Sequence, residues 1–139
     1  MQALNEQRNT IRWYYDGLAQ GELRAVKCEA CGKYTFPPTG CCTHCGSWNV
    51  KGAELSGKGT LHFATHTGPA ASHPRFEKNW PVVYGHVELE EGPFVHAIIQ
   101  GVAPEPETLR ALYEKGPVPV RAVTMKTEDL PVLAFKLVD

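Results

Sequence analysis

Two Cys-x-x-Cys pairs constrain this chain more than any other feature: CEAC supplies Cys28 and Cys31, and CTHC supplies Cys42 and Cys45. Each pair sets two thiols at the ends of a tight knuckle, and glycine follows each one, Gly32 and Gly46, where the backbone must turn sharply. Four sulfurs placed this way converge as a tetrahedron, the geometry of a closed structural zinc site. The segment between the pairs carries Phe36, Pro37 and Pro38 and is short enough to close as a hairpin. With every coordination position taken by thiolate, no place remains for water or substrate, so the expected Zn2+ is structural and not catalytic. The same thiolates would suit iron in a rubredoxin-type site, but zinc is the expected ion in an ordinary cytoplasm.

Cys41 is a fifth thiol beside the second pair, and it is the alternative ligand to Cys42. Cys42 is preferred because it alone completes the Cys-x-x-Cys spacing with Cys45. His44 lies inside the knuckle and is expected to point outward. The N-terminal MQALNEQRNTIRW lacks the apolar run of a secretory signal, and no stretch approaches the ~18 apolar residues of a membrane span. The expectation is a cytoplasmic protein whose clustered cysteines hold a metal and form no disulfide framework.

On either side of the cysteines the hydrophobic period changes. From about Asn5 to Gln20, Leu4, Ile11, Tyr14, Tyr15 and Leu18 recur at helical spacing, and Gly21 is a plausible stop. Trp13, Tyr14 and Tyr15 give this helix much aromatic area. They either pack on their own protein or form a partner-binding face, since aromatics are enriched in interface cores. After the ribbon the pattern has period two. SGKGTLHFATHTG sets Leu61, Phe63 and Thr65 against His62, Ala64 and His66, and PVVYGHVELEEGPFVHAIIQG reads as two strands around Glu91-Gly92-Pro93. PETLRALYEKG is a short helix, and PVPVRAVTM and PVLAFKLVD are two further strands. Five strands with a helix before the fourth suit a small barrel of OB type. The fold expected is mainly β with a short N-terminal helix: helix 1–23, a rubredoxin-like zinc ribbon over 24–52, and a five-stranded OB-type barrel over 53–139.

The longest irregular segment is Gly68 to Pro81. Loops of this length are often functional. Arg75 and Lys78 are candidates to pair with phosphate and Trp80 to stack on a purine, making the three a candidate ligand-binding set; the alternative is a surface loop whose Trp80 packs on the barrel rim. Of the six histidines, His62 and His66 share one strand face and His86 shares another with Glu88. Such coincidences are common on solvent-facing strands, so neither a catalytic role nor a second metal site is assigned to them. The net charge of -1 argues against a concentrated basic face for nucleic acid.

The helix ending in YYDGLAQGEL, the stretch KCEACGKYTFPPTGCCTHCGS and the barrel opening SGKGTL together resemble the zinc-ribbon plus OB-fold acyl-CoA-associated proteins, long catalogued as a domain of unknown function. The likeness runs from about Tyr14 to Leu137; the extra Cys41 and the histidine-rich strand faces are features that the family motif does not explain. It implies a non-catalytic accessory subunit that docks, as a hetero-oligomer, on a thiolase-superfamily enzyme. Relatives accompany thiolases, hydroxymethylglutaryl-CoA synthases, and the aldolases and hydratases of steroid and aromatic acyl-CoA degradation pathways. They are thought to support acyl-CoA binding, with CoA esters at the shared interface, or to hold the complex together. The alternative is a nucleic-acid-binding ribbon and barrel, since both modules serve that purpose elsewhere.

Overall fold

The computed structural model describes residues 10–68, 71 and 73–138. It opens with helix α1 (Thr10–Ala19), the described part of the expected N-terminal helix; Leu4 and Asn5 to Asn9 lie outside the described residues. The helix ends in a Schellman arrangement, with Glu22 N–H donating to the Gly17 carbonyl at 2.8 Å and Gly21 N–H to that of Leu18 at 3.1 Å. Strand β1 (Leu23–Cys28) follows directly and pairs antiparallel with β2 (Tyr34–Thr35) on one side and β3 (Val50–Leu55) on the other. The sheet order is β2-β1-β3.

Only Ser56 and Gly57 separate β3 from β4 (Lys58–His66), the first strand of a closed barrel. The barrel continues through β5 (Val83–Leu89), β6 (Phe94–Gln100), β7 (Val118–Lys126) and β8 (Pro131–Leu137), in the order β4-β5-β6-β8-β7. Helix α2 (Pro106–Lys115) carries the chain from β6 to β7. Closure needs one parallel contact, β6 with β8, which removes the free sheet edges. The expected barrel, with its helix before the fourth strand, is therefore the fold observed.

Strand β5 alternates buried and half-buried residues without a break, so Val83, Gly85, Val87 and Leu89 line the interior. Strand β4 does not keep the expected alternation. Leu61 pairs with Val87 and Phe63 with His86, leaving His62 as an extra residue in a β-bulge. A bulge reverses the faces beyond it: Leu61 is buried, but Phe63 is 53% exposed and Ala64 packs against the core instead. The expectation that Phe63 continues the Leu61 face is thus corrected.

Helix, ribbon and barrel share one core. Leu18 of α1, Leu23 and Ala25 of β1 and Leu55 of β3 join Leu61, Val87, Ile99, Val120 and Phe135 in a single buried cluster. Thr124 Oγ1 donates to the Leu18 carbonyl at 2.9 Å, tying the helix end to β7. The expected irregular loop between β4 and β5 contains a 3-10 helix, Pro74–Asn79, whose Arg75 amide donates to His73 Nδ1. Among the described residues no helix is long and apolar enough to cross a membrane.

Candidate metal centre

Strand β1 delivers Cys28 to the end of the sheet, where its side chain is buried. The chain then folds back so that Gly32 N–H donates to the Cys28 carbonyl at 2.9 Å and Cys28 N–H to that of Lys33 at 2.9 Å. The second knuckle repeats the plan: Gly46 N–H donates to the Cys42 carbonyl at 3.0 Å, and Cys42 N–H to that of Ser47 at 2.8 Å. Gly32 and Gly46 have φ of +77° and +79°, and nothing stands within 4 Å of where a Cβ would sit. Glycine is required at both by backbone conformation and not by space.

The four sulfurs lie within 4.8 Å of one another. Cys28 Sγ is 3.6 Å from Cys45 Sγ, and Cys31 Sγ is 3.6 Å from Cys42 Sγ. Four thiolates at ~2.3 Å from a zinc ion stand roughly 3.8 Å apart in a tetrahedron, so this donor set fits zinc closely. Backbone amides already point at the sulfurs: Cys31 N–H donates to Cys28 Sγ at 3.4 Å and His44 N–H to Cys42 Sγ at 3.3 Å.

Those amides favour thiolate. The Cys45 amide, helped by that of His44, lowers the Cys42 pKa to about 6 against burial. The Cys31 amide lowers that of Cys28 in the same way. Cys45 accepts from the Ser47 amide, but Cys28, burial, Cys42 and Cys31 together outweigh it and push its pKa to about 11. The first cysteine of each knuckle is thus poised to ligate, and the crowding of sulfurs around Cys45 raises the need for a cation among them. The centre is a structural Zn2+ site built from Cys28, Cys31, Cys42 and Cys45.

Cys41 is half-buried outside this cluster. His44 turns away, its Nε2 2.9 Å from the Tyr34 carbonyl on β2. Thr35 Oγ1 accepts from the Thr43 amide at 3.2 Å, joining β2 to the second knuckle.

The aromatic residues of α1 meet the ribbon. Trp13 packs against Val26, Cys28, Cys42 and Val50, and the Arg24 guanidinium lies 5.2 Å from its ring centre. Tyr14 makes edge contacts with Tyr15 at 5.1 Å and Phe36 at 5.7 Å, and both tyrosines pack on the shared core. Burial, with the neighbouring Tyr15, holds the Tyr14 phenol at a pKa of about 12, so it stays protonated. All three rings keep part of their surface, and Ile11, 68% exposed, borders a shallow groove with Tyr14, Tyr15, Pro37 and Pro38.

Sequence reasoning passed over Arg24. Its side chain donates from Nε to Glu22 at 3.0 Å and from Nη1 to the Trp13 carbonyl at 3.0 Å, clamping helix to strand with only 17% of its surface exposed. No local pattern marks it, because Trp13, the residue it clamps, lies on a neighbouring element.

Arg75, Lys78 and Trp80 sit on and just after the 3-10 helix. Arg75 Nη2 is paired with Asp129 Oδ2 at 2.8 Å and Lys78 Nζ with Glu128 Oε1 at 3.4 Å, both in the turn between β7 and β8. Trp80 packs with Val82, Ile98, Met125 and Ala134, and its Nε1 donates to the Gly68 carbonyl at 2.7 Å. The histidines also find partners across strands: His62 Nε2 is 3.1 Å from Glu88 Oε1, and His86 stands opposite His96. His66 lies apart, bonded to the Thr67 carbonyl.

A four-thiolate ribbon whose last strand runs into a closed five-stranded OB-type barrel defines a two-module ribbon-and-barrel class. The chain belongs to the ChsH2 family. The profile described as "ChsH2, rubredoxin-like zinc ribbon domain" matches residues 16–50, and that described as "ChsH2, C-terminal OB-fold domain" matches residues 52–125. The chain is 34% identical over 95 residues to a "Probable enoyl-CoA hydratase alpha subunit" of Thermomonospora curvata, covering 67% of this chain and 28% of the relative. It is 38% identical over 79 residues to a "DUF35 domain-containing scaffold protein" of Pyrococcus furiosus, covering 57% of this chain and 56% of the relative. Both matches therefore span little more than half of the curated relative or less. Among solved structures, "Ltp2-ChsH2(DUF35) aldolase" superposes with a TM-score of 0.72 at 26% identity, covering 94% of this chain and 95% of that one. A DUF35-family protein of unknown function from Sulfolobus solfataricus shares the fold at a TM-score of 0.57 and 14% identity, covering 96% and 88%.

Proposed function

We propose that this chain is a non-catalytic accessory subunit that docks on a thiolase-superfamily enzyme and supports acyl-CoA binding or complex assembly, in the cytoplasm, within a degradation pathway for acyl-CoA esters. The observation that carries the reading is the near-complete superposition on the chain titled "Ltp2-ChsH2(DUF35) aldolase". Relatives named as a scaffold protein and as a hydratase subunit support the same kind of role. The division of labour follows the modules: helix 1–23 and ribbon 24–52 as a rigid arm braced by zinc, and barrel 53–139 as the body. Trp13, Tyr14 and Tyr15 serve the partner contact through the surface they leave open beside Ile11, Pro37 and Pro38.

Arg75, Lys78 and Trp80 are proposed to border the CoA ester, with phosphate exchanging for Asp129 and Glu128 as the counter-charge. The net charge of -1 weighs against a nucleic-acid role, because tracking a phosphate backbone calls for a concentrated basic face. The test is to tag the chain in its native cells, purify it gently and identify stoichiometric companions by mass spectrometry. A thiolase-superfamily protein is expected. A nucleic-acid-processing companion, or none, overturns the reading.

A further inference from the structure

Three histidines and a phenylalanine meet on the outer face of the barrel, where β4, β5 and β6 run side by side. His86 and His96 stand directly opposite each other in the antiparallel β5–β6 pair. Their ring centres are 4.7 Å apart, with planes at 79°. Phe94 stacks on His86 at 4.9 Å. At the β4 bulge, His62 holds the Glu88 carboxylate at 3.1 Å and lies 6.0 Å from Phe94. His62, Phe94 and His96 are exposed, so this cluster is not part of the core. It lies outside the zinc ribbon.

The spacing of the pair, that of an edge-to-face ring contact, is also compatible with chelation. An ion ~2.0–2.1 Å from one nitrogen of each of two imidazoles, at an angle between square and tetrahedral, sets the ring centres roughly 4.5–5.2 Å apart. The observed 4.7 Å falls within that interval. His86 Nδ1 is also shut off from water and has no hydrogen-bond partner. An imidazole nitrogen so placed is unmatched, and a metal ion is one group that would match it. The last torsion of a histidine is soft, and the exposed His96 is free to turn its ring toward the shared point. The Glu88 carboxylate lies on the same strand face two residues along, where His62 holds it.

We propose that His86 and His96 form a second metal site, separate from the ribbon, that takes a borderline divalent transition ion such as Cu2+, Ni2+ or Zn2+. Imidazole pairs favour these ions over Mg2+ or Ca2+, which prefer oxygen. The four cysteines are the only described residues that bring three or more such ligands together. The histidine pair therefore supplies two ligands, and water or an incoming ligand would reach the ion from the exposed His96 side. Such an ion is exchangeable, unlike a ribbon zinc held by four thiolates.

The test uses the untagged full chain carrying one zinc in the ribbon. Ni2+ is titrated calorimetrically, native mass spectrometry confirms that the zinc stays in place, and Cu2+ is followed by electron paramagnetic resonance for coupling to two nitrogens. One further equivalent is expected to bind. His96→Asn, at an exposed position that leaves the Phe94 stack intact, should weaken it on the order of 100-fold through loss of the chelate. His66→Asn, outside the pair, should bind as the parent does. The proposal is overturned if the parent binds no further equivalent, or if His96→Asn binds it unchanged.

Discussion

Replacing Gly85 with alanine tests whether the barrel interior is as tightly closed as its geometry requires. A Cβ at this position would lie 2.5 Å from Leu61 Cδ1, 2.6 Å from Ile99 Cγ1 and 2.7 Å from Ile99 Cδ1. Carbon atoms in contact prefer ~3.5–4.0 Å, so each neighbour must retreat by about 1 Å. Neither has room to do so, since Leu61 and Ile99 are both 2% exposed and are packed from the other side. Overpacking of this kind costs ~1–3 kcal/mol, and a clash on two sides belongs at the upper end. The loss of glycine freedom in the unfolded chain returns up to ~1 kcal/mol, which leaves a net cost of about 2 kcal/mol. For a domain of this size that lowers Tm by roughly 6–10 °C. Calorimetry of the zinc-loaded protein measures the shift, and native mass spectrometry should still find one zinc, because both knuckles are local. Trimming the neighbour is the internal control: Ile99→Ala should cost less in the Gly85→Ala background than alone, by about 1 kcal/mol or more. A Tm within 2 °C of the parent would refute the reasoning.

Cys28→Ser should bring bound zinc well below one equivalent and strip hydrogen-exchange protection from the Gly32 and Gly46 amides, while the β5–β6 amides remain protected; if the ribbon amides stay protected, zinc is not what orders them. If the companion of the proposed complex has been found, the same variant should no longer co-elute with it on size exclusion. Arg24→Ala removes hydrogen bonds to Glu22 and the Trp13 carbonyl, and should destabilise the protein by about 2–3 kcal/mol in denaturant melts. Asp129 accepts from Thr127 and faces Arg75, which lower its pKa below the ordinary 3.8 against partial burial. A depressed carboxylate stabilises the fold above its unfolded pKa and loses that contribution as the pH falls through the folded value. Exchange protection near Arg75 should therefore weaken only below about pH 4, and Asp129→Asn should abolish that dependence.

Much of the architecture was local, and so legible in order of residues alone. The Cys-x-x-Cys-Gly spacing encodes a knuckle because a sharp turn, two ligands and a positive φ all fall within a few consecutive residues. Five apolar runs of strand period, a helix before the fourth and a Glu-Gly-Pro turn likewise specify a barrel of OB type, since each element depends on its own pattern. What those patterns lack is distance information. His62 looks like an ordinary alternating residue until pairing with β5 leaves it unopposed, and this one-residue slip exposes Phe63 and turns Ala64 inward. Arg24 has no signature until α1 brings Trp13 over it. The pairing of Arg75 with Asp129 joins two loops far apart in sequence. His86 and His96 face each other only because the hairpin register puts them in line. Sequence by itself determined the zinc ligands, the five barrel strands and the family resemblance, because local spacing carries them. Tertiary structure alone decided which side chains face one another, because register, bulges and packing between elements are set by the whole core at once.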